Sequence, residues 1–457
     1  MQSTSKGIKR ITVFSITWPI FVESLFHIMM GTVDTFMLSH ISDNVVSAVG
    51  ISRQLIEFCI IMFNLLGLGV GVIIAQLLGG KKELQASQVT ASAITVNLIA
   101  GLVISTLFIV FHNVLLSFYH PTPEVSRHAE IYMQLAGGSL FLEAVILTIG
   151  PVVRAHGYTR DTMVVGIGMN IIHIVGNALL IYGFFGLPEL GVLGAGISTL
   201  VSRLIACVWI FALLYKRIGV PIKLKYYVQM RWLELRAMLT IGVPAGLEWM
   251  SYHLSQMMVT RIVTSMGDIP LATHIYVNSI VYYFMIFGLA IGDGTEIVVA
   301  RMIGAREQEK AYHQLLRSLK WAFIITIGVI VPVSFFGDQV MSVFTDNPVI
   351  IATGASVLLF CILLEPGRVF NHVVINSLRA AGDVRFPLMM AGISMWGIKV
   401  PLAYLLGIYF NMGLIGVWIA HAVDEWVRGV FHYFRWTGRK WQGKTLLPPQ
   451  DRVQESM

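Results

Sequence analysis

Apolar residues fill this chain in long blocks, and short polar stretches separate the blocks. Runs of roughly 20 or more apolar residues, the length that crosses a bilayer core as a helix, fall near 11–38, 48–78, 89–113, 127–153, 162–185, 190–214, 237–264, 273–302, 316–336, 350–378, 387–409 and 413–434. The pattern predicts an all-α polytopic membrane protein with twelve spans. The longest connection, KRIGVPIKLKYYVQMRW after the sixth span, is basic and sets six spans on either side. The expected division is residues 1–215 as one six-helix bundle, 216–235 as a linker, 236–436 as a second bundle and 437–457 as a tail.

A repeat runs through both halves at one offset. Pro19 and Pro244 differ by 225 positions, PIFVE meets PAGLE, and Glu23 falls opposite Glu248. At the same offset IAQLLGGK meets VARMIGAR, Gly67 and Gly69 meet Gly292 and Gly294, and RAHG from Arg154 meets RAAG from Arg379. Identities at one ungapped offset over this length do not follow from shared hydrophobicity alone. Six spans separate equivalent positions, an even number, so the halves are expected to share one orientation about a pseudo-twofold axis along the membrane normal. Substrate in such an arrangement is expected near mid-membrane between the halves.

Composition agrees and narrows the function. A chain of 457 residues with 56% hydrophobic and 12% charged residues is too apolar for a soluble protein. The net charge of +7 would suggest nucleic acid in a soluble domain, but here its placement matters more. The odd-numbered connections, SHISDN, FYHPTPEVS, FGLPEL, MGDIP, GDQVMSVFTDNP and FNMG, contain no Lys or Arg, whereas the even-numbered ones and the tail carry many. This bias predicts both termini in the cytoplasm, for a multi-pass chain expected in the cell's inner (cytoplasmic) membrane, and leaves no role for nucleic acid. Cys59, Cys207 and Cys361 lie in separate apolar runs without disulfide or metal-ligand spacing. The N-terminus resembles a signal peptide, yet charged residues interrupt its apolar run and no small-residue cleavage site follows, so it reads as a retained first span.

Ionisable residues inside these runs are the candidate chemistry, since an Asp at a helix centre costs about 2.5–3.5 kcal/mol on insertion scales. On the first span, helical steps of four and eleven set Glu23, His27 and Asp34 within about 40° of one face. Asp34 and Glu143 have no oppositely charged neighbour a turn away on their own helices, so a coupling ion is the expected partner for Asp34. Glu57 has Arg53 at i−4 and Glu365 has Arg368 at i+3, so ordinary ion pairs account for both. Asp293 and Glu296 lie in a Gly-rich stretch of the eighth span, GLAIGDGTE, where a cavity wall is one reading. On the fifth span Asn170, His173 and Asn177 share a face, as interhelical glue or as cation ligands, and Thr199 of the sixth span offers a hydroxyl oxygen. Trp249, Tyr252, Met257, Met258, Tyr282 and Tyr283 make a candidate pocket lining for flat organic cations, although ordinary packing explains such a stripe equally well. GxxxxGK[ST], HExxH and GxSxG are all absent, so neither ATP hydrolysis nor a recognisable enzyme is indicated, and an ion gradient must drive any pumping.

VDTFMLSH ending the first span, QLLGGKK after the second, NALLIYG in the fifth, IGVPAGLE opening the seventh, RMIGAREQEKA after the eighth and LRAAGDVRFP after the tenth together resemble the multidrug and toxic compound extrusion (MATE) transporters. The resemblance implies an antiporter whose halves form an alternately opening V and which exports amphipathic, often cationic drugs in exchange for protons or sodium ions. It implies no cofactor beyond the coupling ion, a lipid bilayer and small organic cations as partners, and a monomer. By resemblance Asp34 matches the first-span coupling aspartate and Thr199 its companion threonine. His173 and Asn177 stand where the family has Asn with Asp or Asn, and a sodium ion would fall to Asp34, Asn177 and Thr199. The imidazole titrates near neutrality and is a poor sodium ligand, which favours protons. Glu23, His27, Asn170, Glu248, Trp249, Tyr252, Met257 and Tyr283 are then the expected substrate-cavity residues. A seventh-span glutamate of several members falls on Tyr252, and a tenth-span aspartate falls on Arg368, so a second cation site built as in those members is not expected here. The alternatives are a flippase for a lipid-linked sugar, for which Arg53, Arg203, Arg261, Arg368 and Lys399 would supply basic groups, and a non-transporting scaffold.

Overall fold

A computed structural model describes residues 12–218, 223–228 and 232–444. The described residues contain helices and no strands. Twelve long helical segments follow the apolar runs. They are α1 (Val13–Ser39), α2 (Asp43–Gly79), α3 (Glu83–Val110), α4 (Pro123–Gly137 and Leu140–Ala155), α5 (Thr159–Tyr182), α6 (Val192–Arg217), α7 (Trp232–Thr264), α8 (Asp268–Gly304), α9 (Gln308–Phe335), α10 (Pro348–Ala380), α11 (Arg385–Tyr409) and α12 (Gly413–Thr437). Among the described residues nine of them are long and apolar enough to cross a membrane, and α4, bent by 42°, makes a tenth. The remaining two, α7 and α12, carry more charge, with Asp424, Glu425 and Arg428 buried in α12.

The chain forms two compact units. One holds Val22–Gly242; the other holds Thr12–Phe21 with 243–444. The core of the first joins Leu38, Val49, Ile56, Phe63, Phe108, Met133 and Leu140, and that of the second joins Val259, Val277, Val281, Val357, Cys361, Val417 and Trp418. The three cysteines are free. In the second unit Trp441 stacks on Trp436 at 4.3 Å, and Asp383 binds both Arg435 (2.8 Å) and Lys444 (2.7 Å), so chain beyond α12 is packed against the bundle.

The repeated motifs have structural causes. RAHG and RAAG each end a helix in the same Schellman turn, with the Gly157 and Gly382 amides bonded to the Arg154 and Arg379 carbonyls at 2.8 Å in both cases. Both glycines lie in the left-handed region, at φ 90° and 84°, where a side chain is strained. The ends of α2 and α8 close in the same way, but there Lys81 (φ 58°) and Arg306 (φ 60°) occupy the left-handed position. A basic side chain at both places carries a steric cost of roughly 1–2 kcal/mol.

The repeated acidic and basic residues pair within each unit. Arg154 lies 3.2 Å from Glu23, and Arg379 lies 2.8 Å from Glu248. The first pair is about a quarter exposed on each side; the second is 7% and 10% exposed. Removing one partner of a fully buried pair strands the other charge and costs about 3–5 kcal/mol, whereas a partly hydrated charge is screened and costs about 1–2 kcal/mol. Arg379→Ala is therefore expected to lower the thermal unfolding midpoint of the purified protein clearly more than Arg154→Ala does.

Candidate functional site

In the first unit, four of the residues singled out from the sequence form one connected cluster. Asp34 on α1 is buried, and Asn177 Nδ2 donates to its Oδ1 at 2.7 Å. His173, one turn before Asn177 on α5, sets Nδ1 3.3 Å from the same oxygen. Its other ring nitrogen, Nε2, lies 3.1 Å from Thr199 Oγ1 on α6. The i, i+4 spacing on α5 aims both side chains at α1, as the sequence pattern requires.

The hydrogen-bond directions constrain where protons sit. The Thr199 hydroxyl donates to the Ala195 carbonyl at 2.9 Å, so at Thr199 it is His173 Nε2–H that donates. In a neutral imidazole Nδ1 is then a bare acceptor. It faces a carboxylate oxygen, also an acceptor. Two bare acceptors at 3.3 Å repel, so the arrangement is satisfied by one proton between Asp34 and His173. Asn177 presents its Nδ2 donor to Asp34 rather than its Oδ1. The Asn170 Oδ1, a turn before His173, is buried and has no hydrogen-bond partner.

Tyr132, Arg203 and Arg53, which the sequence pattern did not tie to this site, surround the cluster. Tyr132, buried on α4, lies within electrostatic reach of Asp34, Arg203 and Arg53. It stands immediately before a π-helical turn, Met133–Gly137, which frees the Ala136 carbonyl. Arg203 takes that carbonyl at 2.6 Å and Ser139 Oγ at 2.9 Å. Its four-residue spacing from Thr199 was the available sequence signal. Arg53 donates to the Gly31 carbonyl, one turn before Asp34, at 3.2 Å.

Several expectations need correction. Glu143 is not isolated, because Arg203, sixty positions along the chain, lies 3.0 Å away. Glu23, His27 and Asp34 do not make one polar face. Glu23 and Asp34 are eleven residues apart, about 16 Å along a helix, so they meet different neighbours: Glu23 binds Arg154 and Thr162, and His27 is exposed. The expected pairs Arg53–Glu57 (3.6 Å) and Arg368–Glu365 (2.7 Å) are present.

The remaining named residues lie in the second unit. Glu248 is buried against Arg379, Trp249 stacks on His253 at 6.0 Å, and Met257 and Tyr283 are exposed. The ring of Tyr252 already has a cation on it, Lys399 Nζ at 5.0 Å. Among the described residues no group of three or more His, Cys, Asp or Glu could hold a metal ion.

A family model described as MatE matches residues 19–179 and again 244–405. The two matches begin 225 positions apart, the offset of the repeat. The chain is 42% identical over 438 residues to the uncharacterized transporter YisQ of Bacillus subtilis, covering 96% of both chains. It is 24% identical to the probable multidrug resistance protein NorM of Thermotoga maritima, covering 98% of this chain and 96% of that one. Among solved structures, an outward-facing multidrug resistance MATE family transporter of the MOP superfamily superposes with a TM-score of 0.86 at 21% identity, over 96% of this chain and all of the other. A MOP superfamily transporter from Pyrococcus furiosus, described as having a binding pocket of reverse polarity, gives 0.85 at 21% identity, over 96% of this chain and 98% of that one.

Proposed function

We propose, since this chain belongs to the MatE family of multi-pass multidrug transporters, that it exports amphipathic organic cations in exchange for protons by alternating access, and that the exchanged proton is held between Asp34 and His173. The single observation behind the choice of ion is the chain Ala195–Thr199–His173–Asp34, whose donor directions set the His173 Nδ1 acceptor against the Asp34 Oδ1 acceptor at 3.3 Å. Sodium prefers a shell of oxygen ligands, and here an imidazole nitrogen and an amide nitrogen face the carboxylate.

The coupling follows from charge. A protonated Asp34–His173 pair and an unprotonated one differ by a full charge in a low-dielectric surrounding, where that difference acts strongly on a nearby organic cation. Proton binding and drug binding therefore compete, and a proton moving down 100 mV supplies about 2.3 kcal/mol, enough for roughly a 50-fold drug gradient. The transporter works as a monomer in the cytoplasmic membrane with both termini inside. A flippase reading is weaker, since Arg53, Arg203 and Arg368 are committed to carboxylates and Lys399 to Gln256 and Ser255.

Proteoliposomes loaded with a fluorescent organic cation test this reading. A pH gradient is expected to drive the dye at zero sodium gradient, and a sodium gradient at zero pH gradient is not; the reverse result contradicts it. His173→Asn replaces the proton-bearing ring by an amide and is expected to slow pH-driven efflux about tenfold or more, a loss of about 1.4 kcal/mol of coupling.

A further inference from the structure

The second unit carries buried charge that the mechanism above does not use. Where the repeat of the first unit has Leu68, Gly71 and Pro151, the second has Asp293, Glu296 and Asn376. In the first unit this is a tight apolar helix crossing: a Cβ on Gly71 would lie 3.2 Å from Pro151 Cβ, and one on Gly67 would lie 2.6 Å from the Leu147 carbonyl oxygen. In the second unit the same crossing of α8 over α10 has become acidic. Asn376 Nδ2 donates to Asp293 Oδ1 at 3.1 Å, and Asn376 Oδ1 accepts from Arg379 at 2.9 Å.

Glu296 is the unexplained member. It is 7% exposed, and its Oε1 is buried without a hydrogen-bond partner. The charges acting on it are Arg379 from α10, Asp293 from its own helix and Glu248 from α7. Arg379 is already bonded to Glu248 at 2.8 Å. On α12, Asp424, Glu425 and Arg428 pair with one another. On α10, His372 turns its backbone carbonyl toward Gly292, one turn before Glu296. Arg379 is thus committed to Glu248 while Glu296 keeps a buried, unpartnered oxygen, and a buried carboxylate without a counter-charge is unfavourable by several kcal/mol.

We infer that the second unit holds a binding site of its own for a small monovalent cation, built on Glu296 and Asp293 of α8 against Asn376 of α10. The donor set is carboxylate oxygen, from Glu296 and Asp293, with the Asn376 amide holding Asp293 in place through its Nδ2 and turning its own oxygen to Arg379, and such a set suits a proton or an alkali-metal ion. Arg379 is the fixed cation that keeps Glu248 out of the site. The site is an addition to one half of the repeat, so it is independent of the cluster around Asp34.

The test uses the full chain carrying Asp34→Asn in lipid nanodiscs, so that its outcome does not depend on the first unit. The thermal unfolding midpoint is followed as sodium chloride replaces choline chloride at fixed pH, and separately as pH is lowered without sodium. The expected result is a rise of about 5 °C or more in one titration, lost when Glu296→Gln is added. A sodium response identifies a sodium ion, and a response to acid alone identifies a proton. Asp293→Asn on the same background is the second variant, expected to remove the same response should Glu296→Gln not accumulate as folded protein. Identical responses with and without either substitution overturn the inference.

Discussion

Asp34→Asn is expected to abolish gradient-driven efflux, lowering its initial rate in proteoliposomes by more than about 100-fold, while the protein still purifies as a folded species. Asn is nearly isosteric with Asp and can give one proton to His173 Nδ1 and the other to Asn177, once the Asn177 amide turns over so that its unpartnered Oδ1 accepts, and the chain from Ala195 through Thr199 and His173 then stays satisfied. What it cannot do is change charge. The site is then held permanently in the equivalent of its proton-loaded state, and the step that exchanges proton for drug is lost. Stability should change by about 1 kcal/mol or less, since one hydrogen bond is exchanged for another. Efflux that survives the substitution contradicts the assignment.

Arg428→Ala is expected to be the most destabilising single change in the second unit. Arg428 is 3% exposed on α12 and binds Asp424 through two nitrogens, at 2.7 and 3.2 Å, and Glu425 at 2.9 Å. Its removal leaves Asp424 with Ser394 Oγ at 2.6 Å and Glu425 with Asn371 at 2.8 Å and the more distant Arg368 at 3.9 Å. Stranding buried carboxylates in this way costs about 3–5 kcal/mol, read as a large drop in unfolding midpoint and in the yield of monodisperse protein. Arg428→Lys is expected to recover only part of the loss, because an ammonium cannot reproduce the forked contact to Asp424.

The helices were legible from apolar run length alone, including α7 and α12, whose charges make them poorer spans. The repeat was legible because some of its identities sit where the backbone demands them: Gly157 and Gly382 hold a left-handed turn, and Glu23 and Glu248 each meet the arginine of the following RAxG motif. The Asp34 cluster was legible in part, through the four-residue step from His173 to Asn177 on one helix face. Tyr132 was not, because a π-turn shifts the helical register by one residue and no residue pattern marks it. Partners on other helices were equally hidden. Glu143 looked isolated by its own helical neighbours, yet Arg203 lies against it, and periodicity carries no information about which helices pack together. Tyr252 shows the same limit: a ring available for a ligand cation by sequence has Lys399 on it.

Counting protons tests the assignment of Asp34 and His173 most directly. Purified protein in weakly buffered detergent solution is mixed with a cationic dye that it transports, and the pH change is converted to protons released per transporter. About one more proton is expected from the unsubstituted protein than from Asp34→Asn, since drug and proton compete for the same charge. Equal release from the two proteins would contradict the proposal that Asp34 and His173 hold the exchanged proton.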